Sequence, residues 1–223
     1  MPKQQILIEK AFSRRFFLQK SLILSLVFLI AACAGPVSTT GSARNTASSP
    51  LATTGAQTPI LTKAPTCNGV ATPSQTEGPF YKPNSPERTS LREPGISGTL
   101  LTVTGYVLST RCQPIAHALL DFWQADGSGN YDNTGFRLRG HQYTDNQGRY
   151  ALDTIVPGEY PGRTRHIHVK VQVPGKAELT TQLYFPGEAR NDSDGIFSPA
   201  LLMQVQQTNN GQLAMFNFVI AIQ

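Results

Sequence analysis

The stretch Leu100-Leu-Thr-Val-Thr-Gly-Tyr-Val-Leu108 alternates apolar with polar residues and is rich in β-branched side chains. This pattern predicts a β-strand that buries one face. The stretch Ala118-Leu-Leu-Asp-Phe-Trp-Gln124 has the same character, and Cys112-Gln-Pro114 between the two predicts a turn. Neighbouring strands of this kind favour an all-β fold.

Turns and strand patterns continue towards the C-terminus. The turn Asp145-Asn-Gln-Gly148 separates residues 140–144 from the alternating stretch Arg149–Ile155, which predicts a β-hairpin. The only helical candidate is Pro199–Thr208. Short strands separated by Pro and Gly turns predict a β-sandwich with few helices. Further strands are predicted at His166–Val173, at Leu179–Phe185 and within Leu213–Ile222.

Residues 1–32 are typical of an export signal. The apolar run Ser21–Ala32 follows a basic region and is too short to span a bilayer as a permanent helix. The arginine pair in Ser13-Arg-Arg-Phe-Phe-Leu-Gln-Lys20 predicts the twin-arginine route, which exports folded proteins. Ile30-Ala-Ala-Cys33 resembles a lipobox and predicts lipidation of Cys33, with plain cleavage as the alternative. The mature protein is therefore expected to be tethered to a membrane on the periplasmic or extracellular side.

The rest of the chain divides by composition into two parts. Residues 33–65 are rich in Ser, Thr, Ala, Gly and Pro, which predicts a flexible tether. Residues 66–223 are enough for one domain with its own core. Outside residues 1–32 the chain has 14 basic and 13 acidic residues and no basic run. We therefore expect no nucleic-acid partner.

Cysteine usage agrees with an exported protein. Apart from Cys33, the chain has two cysteines, Cys67 and Cys112. An even pair outside the cytoplasm predicts a disulfide. This bond would fasten the segment after the tether to the sandwich and would contribute about 4 kcal/mol in the chain-entropy model.

Candidate metal ligands are concentrated in one strand and two loops. Alternate side chains of a strand share a face, so His166 and His168 point the same way while Ile167 points to the opposite layer. Two imidazoles placed like this can bind one metal ion, although the same pair also fits the polar face of an exposed strand. Tyr131 and Tyr160 lie in segments rich in Gly and Pro, from which their phenols can reach the histidines.

A set of two phenols and two imidazoles indicates a particular metal. Phenolate is a hard anionic donor, and two phenolates with one hydroxide balance three positive charges, so Fe(III) is the ion that fits best. Zinc would be expected with cysteine, histidine and carboxylate ligands instead. The metal itself would keep the tyrosines deprotonated near pH 7.

Several motifs in order and at matching spacing resemble the intradiol ring-cleavage dioxygenases, and among them the protocatechuate 3,4-dioxygenase type. The resemblance extends from Thr72 to about Phe185. The matching pieces are Thr72-Pro-Ser-Gln-Thr-Glu-Gly-Pro-Phe-Tyr81, Phe122-Trp-Gln-Ala-Asp126, Gly129-Asn-Tyr131, Thr144-Asp145 with Gly148, Thr154-Ile-Val-Pro-Gly-Glu-Tyr160, Arg163-Thr-Arg-His-Ile-His168 and Thr181-Gln-Leu-Tyr-Phe185.

The resemblance implies a fold, a cofactor and a reaction. The fold is a prealbumin- or transthyretin-like β-sandwich, and the cofactor is non-haem Fe(III). By position its ligands are Tyr131, Tyr160, His166 and His168. The implied reaction is cleavage of a catechol-type substrate by O2 between its two hydroxylated carbons, which gives a cis,cis-muconate-type dicarboxylate.

Further residues acquire roles through the same resemblance. Arg163 is expected to stabilise negative charge on the ring, Gln182 to orient the substrate, and Tyr160 to leave the metal when substrate binds. A pocket wall is expected from Gly78, Pro79, Tyr81 and Trp123.

Two alternative functions use the same sandwich. One is a non-enzymatic surface binding module, and the other is a lipoprotein that binds iron or catechols without cleaving them. The protocatechuate enzymes use two unlike chains, whereas this chain carries the full ligand set, so it is expected to work alone or as a homo-oligomer. The part after Asn191 matches poorly, and the identity of the catechol is left open.

Overall fold

A computed structural model describes residues 65–222 of the chain. The predicted export signal, Cys33 and nearly all of the tether lie outside the described residues. No helix in the described part is long and apolar enough to cross a membrane. In chain order the strands are β1 Leu100–Ser109, β2 Leu119–Trp123, β3 Arg139–Tyr143, β4 Arg149–Ile155, β5 His166–Gln172, β6 Leu179–Tyr184, β7 Gln204–Thr208, β8 Gly211–Met215 and β9 Phe218–Ile220.

The strands form two sheets, as the predicted β-sandwich requires. One sheet has the order β4-β1-β8-β7, with β9 paired to the far end of β1. The other has the order β3-β2-β5-β6, in which all neighbours are antiparallel. Two short 3-10 helices, Ala189–Asp192 and Pro199–Leu201, follow β6.

The core lies between the sheets and follows the alternation in the sequence. Val103 and Val107 of β1 are fully buried, as are Ile167 and Val169 of β5. Each large apolar side chain buried in this way stabilises the fold by about 1.5–3 kcal/mol. Because Ile167 faces the core, its neighbours His166 and His168 lie on the opposite face of β5.

Two of the local predictions are wrong. Residues 140–144 and Arg149–Ile155 do not form a hairpin, because β3 pairs with β2 while β4 pairs with β1 in the other sheet. The turn at Asp145 therefore carries the chain from one sheet to the other. The candidate helix Pro199–Thr208 is a single 3-10 turn followed by strand β7. The last predicted strand is divided into β8 and β9.

The segment before β1 covers the face of the second sheet that points away from the core. Gln75 N donates to Thr180 O at 2.8 Å, and Gln182 Nε2 donates to Thr76 O at 3.0 Å. At its start this segment is fastened by a disulfide between Cys67 and Cys112. The space between the segment and the sheet holds the histidines.

Candidate metal centre

The histidine pair lies on β5 as its spacing predicts. Nε2 of His166 is 3.1 Å from Nε2 of His168, and both side chains are buried. Nδ1 of His166 lies 2.6 Å from the carbonyl oxygen of Thr164 and donates to it, so Nε2 is left with its lone pair. The 3.1 Å separation fits two donors of one ion whose metal–nitrogen bonds are about 2.1 Å.

Tyr131 approaches this pair from the loop between β2 and β3, residues 124–138, named here the Tyr131 loop. Its hydroxyl oxygen is 3.5 Å from Nε2 of His166. Asp126 shapes the loop, because its side chain accepts hydrogen bonds from the amides of Ser128 and Asn130 at 2.8 and 2.9 Å. The loop thus holds its phenol at the histidines.

Tyr160 comes from the loop between β4 and β5, residues 156–165, named here the Tyr160 loop. Its ring centroid is 6.0 Å from that of Tyr131, and the two rings are nearly perpendicular. The loops pack closely only because two glycines are present. A Cβ at Gly129 would lie 2.0 Å from the carbonyl oxygen of Glu159, and one at Gly158 would lie 2.4 Å from the amide nitrogen of Gly129.

The electrostatics of the cluster suit a metal ion. Burial lowers the pKa of His166 to about 4 and the pKa of His168 well below its ordinary value, so both imidazoles are neutral near pH 7. Burial also raises the pKa of the Tyr131 phenol, although Arg163 and Arg139 oppose this. Phenolate formation here needs a further positive charge, which a bound cation would supply.

The type of donor narrows the choice of ion. No group of three or more His, Cys, Asp or Glu side chains within residues 65–222 is arranged to hold a metal. The other protein donors available next to the two histidines are the tyrosines, and a donor set of phenols and imidazoles fits Fe(III) better than zinc. Nδ1 of His168 is buried without a hydrogen-bond partner in the described part of the chain.

Arg163 and Gln182 lie next to each other beside the histidines. Nη2 of Arg163 donates to Oε1 of Gln182 at 2.6 Å, and Gln182 is the cross-strand partner of His168. The Gln182 oxygen also lies 3.0 Å from the hydroxyl of Tyr184. The amide of Gln182 is thus largely used to hold protein groups in place.

The predicted pocket wall is only partly at the centre. The indole of Trp123 is stacked on His168, with centroids 4.8 Å apart and planes 7° apart. A Cβ at Gly78 would lie 3.5 Å from Cε1 of His168, so this glycine is adjacent as expected. Tyr81 instead contacts Trp123 and lies 3.3 Å from a carboxylate oxygen of Asp121. Pro79 is exposed.

Some residues at the centre were missed by the sequence reasoning. Phe80 stacks on Tyr131 at 4.5 Å and meets Tyr160 edge-on at 5.3 Å, so it touches both phenol rings. Tyr184 lies within the predicted strand Leu179–Phe185, and its spacing of two from Gln182 places it on the same face of that strand. Asp194 forms an ion pair with Arg163 at 2.8 Å and lies in the poorly matching region.

A separate groove of about 440 Å³ shares no residue with this cluster. It is lined by residues 66–68 and 70–73, by Ala200, Leu202 and Gln204, and by residues 215–217 with Val219. The side chains that could bind a metal ion all lie at the histidine pair, so we assign the functional centre to that cluster and not to the groove.

Comparison with known proteins identifies the family of the chain. A family model described as "Dioxygenase" matches residues 76–221. The dioxygenase domain of a dioxygenase carbohydrate-binding protein fusion from Streptomyces sp. SirexAA-E is 56% identical, with a TM-score of 0.68 over 69% of this chain and 100% of that one. The 3-chlorocatechol 1,2-dioxygenase of Rhodococcus opacus 1CP is 30% identical, with a TM-score of 0.62 over 66% and 71% of the two chains.

Curated sequences give the same family. Chlorocatechol 1,2-dioxygenase of Pseudomonas sp. strain P51 is 31% identical over 146 residues, which are 54% of this chain and 58% of that protein. Catechol 1,2-dioxygenase of Candida albicans is 30% identical over 149 residues, 54% and 49% of the two proteins. The chain spans about half the length of these curated relatives. Since the family match covers most of the described residues, the chain belongs to the intradiol ring-cleavage dioxygenases, a family that depends on non-haem Fe(III).

Proposed function

We propose that this chain is an intradiol dioxygenase that opens a catechol-type ring between its two hydroxylated carbons. The C–C bond breaks, both atoms of O2 enter the product, and a cis,cis-muconate-type dicarboxylate is released. The observation that carries the proposal is the 3.1 Å approach of the two histidine Nε2 atoms beside the Tyr131 hydroxyl. Relatives named for catechol, chlorocatechol, hydroxyquinol and protocatechuate support a catechol as substrate.

The proposed metal ligands are Tyr131, Tyr160, His166 and His168. Bound Fe(III) would withdraw electron density from a chelated catecholate, so that O2 attacks the ring. Tyr160 lies beside the exposed residues Glu159, Pro161 and Gly162 and is the ligand that substrate would replace. Its freed phenolate oxygen would accept a proton from a substrate hydroxyl.

Arg163 is proposed to stabilise the negative charge that develops on the ring. Its Nε and Nη2 atoms bond to protein groups, whereas Nη1 makes no hydrogen bond to any residue between 65 and 222. This nitrogen can therefore donate to a bound anion. Gln182 would act chiefly by fixing the guanidinium, and Trp123 and Gly78 would border the ring.

Oxygen uptake by purified, iron-loaded protein tests the proposal. The panel contains catechol, protocatechuate, hydroxyquinol and chlorinated or alkylated catechols, and labelling with ¹⁸O2 is expected to place both oxygen atoms in the product. The iron-loaded protein is expected to be burgundy, since tyrosinate donates charge to Fe(III). A colourless protein that takes up no iron would contradict the proposal. Binding of iron and catechol without oxygen uptake would favour the non-enzymatic iron binder.

The proposal includes export and a membrane tether, on the basis of the arginine pair and the lipobox-like sequence. The Cys67–Cys112 disulfide suits an oxidising compartment. Replacement of Arg14 and Arg15 by lysine is expected to retain the protein in the cytoplasm. Cys33→Ala is expected to release it from the membrane fraction without lowering its oxygen uptake.

A further inference from the structure

A segment of residues 188–196, named here the clamp segment, lies against the Tyr160 loop and is joined to it by ion pairs. The pairs are Glu159–Arg190 at 2.6 Å, Arg163–Asp194 at 2.8 Å and Arg165–Glu188 at 2.9 Å. They differ greatly in burial. The Asp194 side chain is 1% exposed, whereas those of Arg190 and Glu159 are 48% and 36% exposed. Only the Asp194 pair is shielded from solvent and salt.

Both carboxylate oxygens of Asp194 accept hydrogen bonds. One carboxylate oxygen accepts from Nε of Arg163 and, at 3.0 Å, from the backbone amide of Thr164. The other accepts from the amide of Ile196 at 3.1 Å. Burial alone would raise the pKa of Asp194, but these donors hold it below its ordinary value, so the group is an anion near pH 7. A fixed anion of this kind determines where its cation lies.

The Arg163 guanidinium is held from two directions. Asp194 binds the Nε edge, and Gln182 and Tyr184 bind Nη2 at 2.6 and 3.3 Å. Tyr184 is in turn anchored, because its hydroxyl donates to Gln75 at 2.6 Å. Hydrogen bonds at both Nε and Nη2 leave the guanidinium little freedom to rotate, since its donors form a rigid fork.

We propose that Asp194 is a positioning residue that orients Arg163 so that Nη1 faces the bound catecholate. The claim rests on the proposed function, because it assigns Asp194 a part in that reaction. The clamp segment, which has no recognisable sequence motif, would thus contribute to the reaction through Asp194. The effect of Asp194 must then pass through Arg163 and through no other group at the metal centre.

The first test compares Asp194→Asn with Asp192→Asn in the iron-loaded full chain. Asp192 is an exposed carboxylate of the same segment, so its variant makes the same charge change away from Arg163. Asp194→Asn is expected to lower kcat/KM on the order of 10- to 100-fold, as misplacement of a charge-stabilising group does. Iron content and visible absorbance are expected to stay unchanged in both variants, and Asp192→Asn is expected to keep full activity.

A double-mutant cycle with Arg163→Ala distinguishes positioning from a structural role. If Asp194 acts through Arg163, Asp194→Asn has no further effect on kcat/KM in the Arg163→Ala background. An undiminished further loss in that background would overturn the proposal, as would a wild-type rate in Asp194→Asn. Asp194→Glu, which keeps the charge, is expected to recover part of the rate.

Two further readouts separate this proposal from the proposed function. If no catechol is consumed by the wild-type protein, the proposed reaction fails, and titration with 4-nitrocatechol still reports whether Asp194→Asn weakens catechol binding by the same factor as Arg163→Ala. A crystal structure of Asp194→Asn needs no ligand. We expect the guanidinium to leave Gln182 and Tyr184, and a guanidinium that stays in place would refute the role of Asp194.

Discussion

The Tyr131 loop places its phenol at the histidine pair and the Tyr160 loop packs its tyrosine ring against that of Tyr131, but the two loops are held in different ways. In the Tyr131 loop, the Asp132 carboxylate accepts hydrogen bonds from the backbone amides of Thr134, Gly135 and Arg137. The buried Arg139, which follows the loop, donates to the carbonyl oxygen of Asp132. The contacts of Asp132 are short-range, and Lys82 of the segment before β1 adds a hydrogen bond to the carbonyl oxygen of Thr134 at 2.6 Å. The loop is therefore a fixed support for its tyrosine.

The Tyr160 loop is held by ion pairs with the clamp segment. Pro161 and Gly162 are exposed, and a Cβ at Gly162 would meet no atom within 4 Å. Its ion pairs are all with the clamp segment, and the one at Glu159, next to Tyr160, is exposed. From this difference we predict that Tyr131 stays on the metal and that Tyr160 is released when substrate binds.

The largest expected effect separates the two tyrosines directly. Tyr131→Phe is expected to lower oxygen uptake by at least on the order of 10³-fold, more than loss of one hydrogen-bond donor usually costs. Iron content is expected to fall as well, because a fixed loop cannot replace the lost donor. Tyr160→Phe is expected to retain most of the iron, since the neighbouring Pro161 and Gly162 are exposed and water can reach this end of the loop. Equal iron losses in the two variants would contradict the expected difference between the two loops.

Arg139 is expected to be the main support of the Tyr131 loop. It is 1% exposed and donates to the carbonyl oxygens of Phe80 and Asp132 at 2.6 and 3.1 Å. Arg139→Gln is expected to lower the free energy of unfolding by about 3 kcal/mol, because two carbonyls lose a charged donor. The control is Arg149→Gln, whose exposed ion pair with Asp145 contributes about 0–1 kcal/mol. Urea unfolding of both variants measures the difference.

Asp132 gives the same loop a dependence on pH. The amides of Gly135 and Arg137 hold the pKa of its carboxylate well below the ordinary range. A depressed folded-state pKa stabilises the protein above the unfolded value of about 4, and the effect is lost as pH falls below that value. Asp132→Asn is expected to lower the free energy of unfolding by about 1 kcal/mol at pH 7, as loss of a side chain that caps backbone amides does at a helix N-terminus.

Unfolding at several pH values checks this sign. The difference between wild type and Asp132→Asn is expected to shrink as the pH is lowered from 5 towards 3. Asp192→Asn again serves as the control for an exposed carboxylate. A difference that stays constant with pH would show that the amide contacts do not depend on the charge of Asp132.

The smallest effect is expected at the exposed end of the Tyr160 loop. Glu159→Gln removes the pair with Arg190 and is expected to change the free energy of unfolding by less than about 0.5 kcal/mol. The change is expected to vanish in high salt, because exposed charges are screened. A loss as large as that of Asp132→Asn would mean that the two loops are equally fixed.

Much of the site was accessible from the sequence because its signals are local. The two-residue alternation predicted the bounds of β1, β2 and β5 nearly correctly. It also placed His166 and His168 on one face of β5. The sequence also indicated that both tyrosines belong to loops. The ligand chemistry then followed from residue types, since a donor set of phenols and imidazoles favours few ions.

Tertiary structure alone decided which segments meet. The turn at Asp145 looked like a hairpin, but β3 pairs with β2 in one sheet and β4 pairs with β1 in the other, so the two strands do not pair with each other. Phe80 reaches the two phenols from a distant segment, and Asp194 lies 31 residues from Arg163. Such contacts depend on how the sheets and loops pack, for which no short-range pattern exists. Backbone periodicity is a local property of the chain, whereas the partner of a buried charge is set by the whole fold.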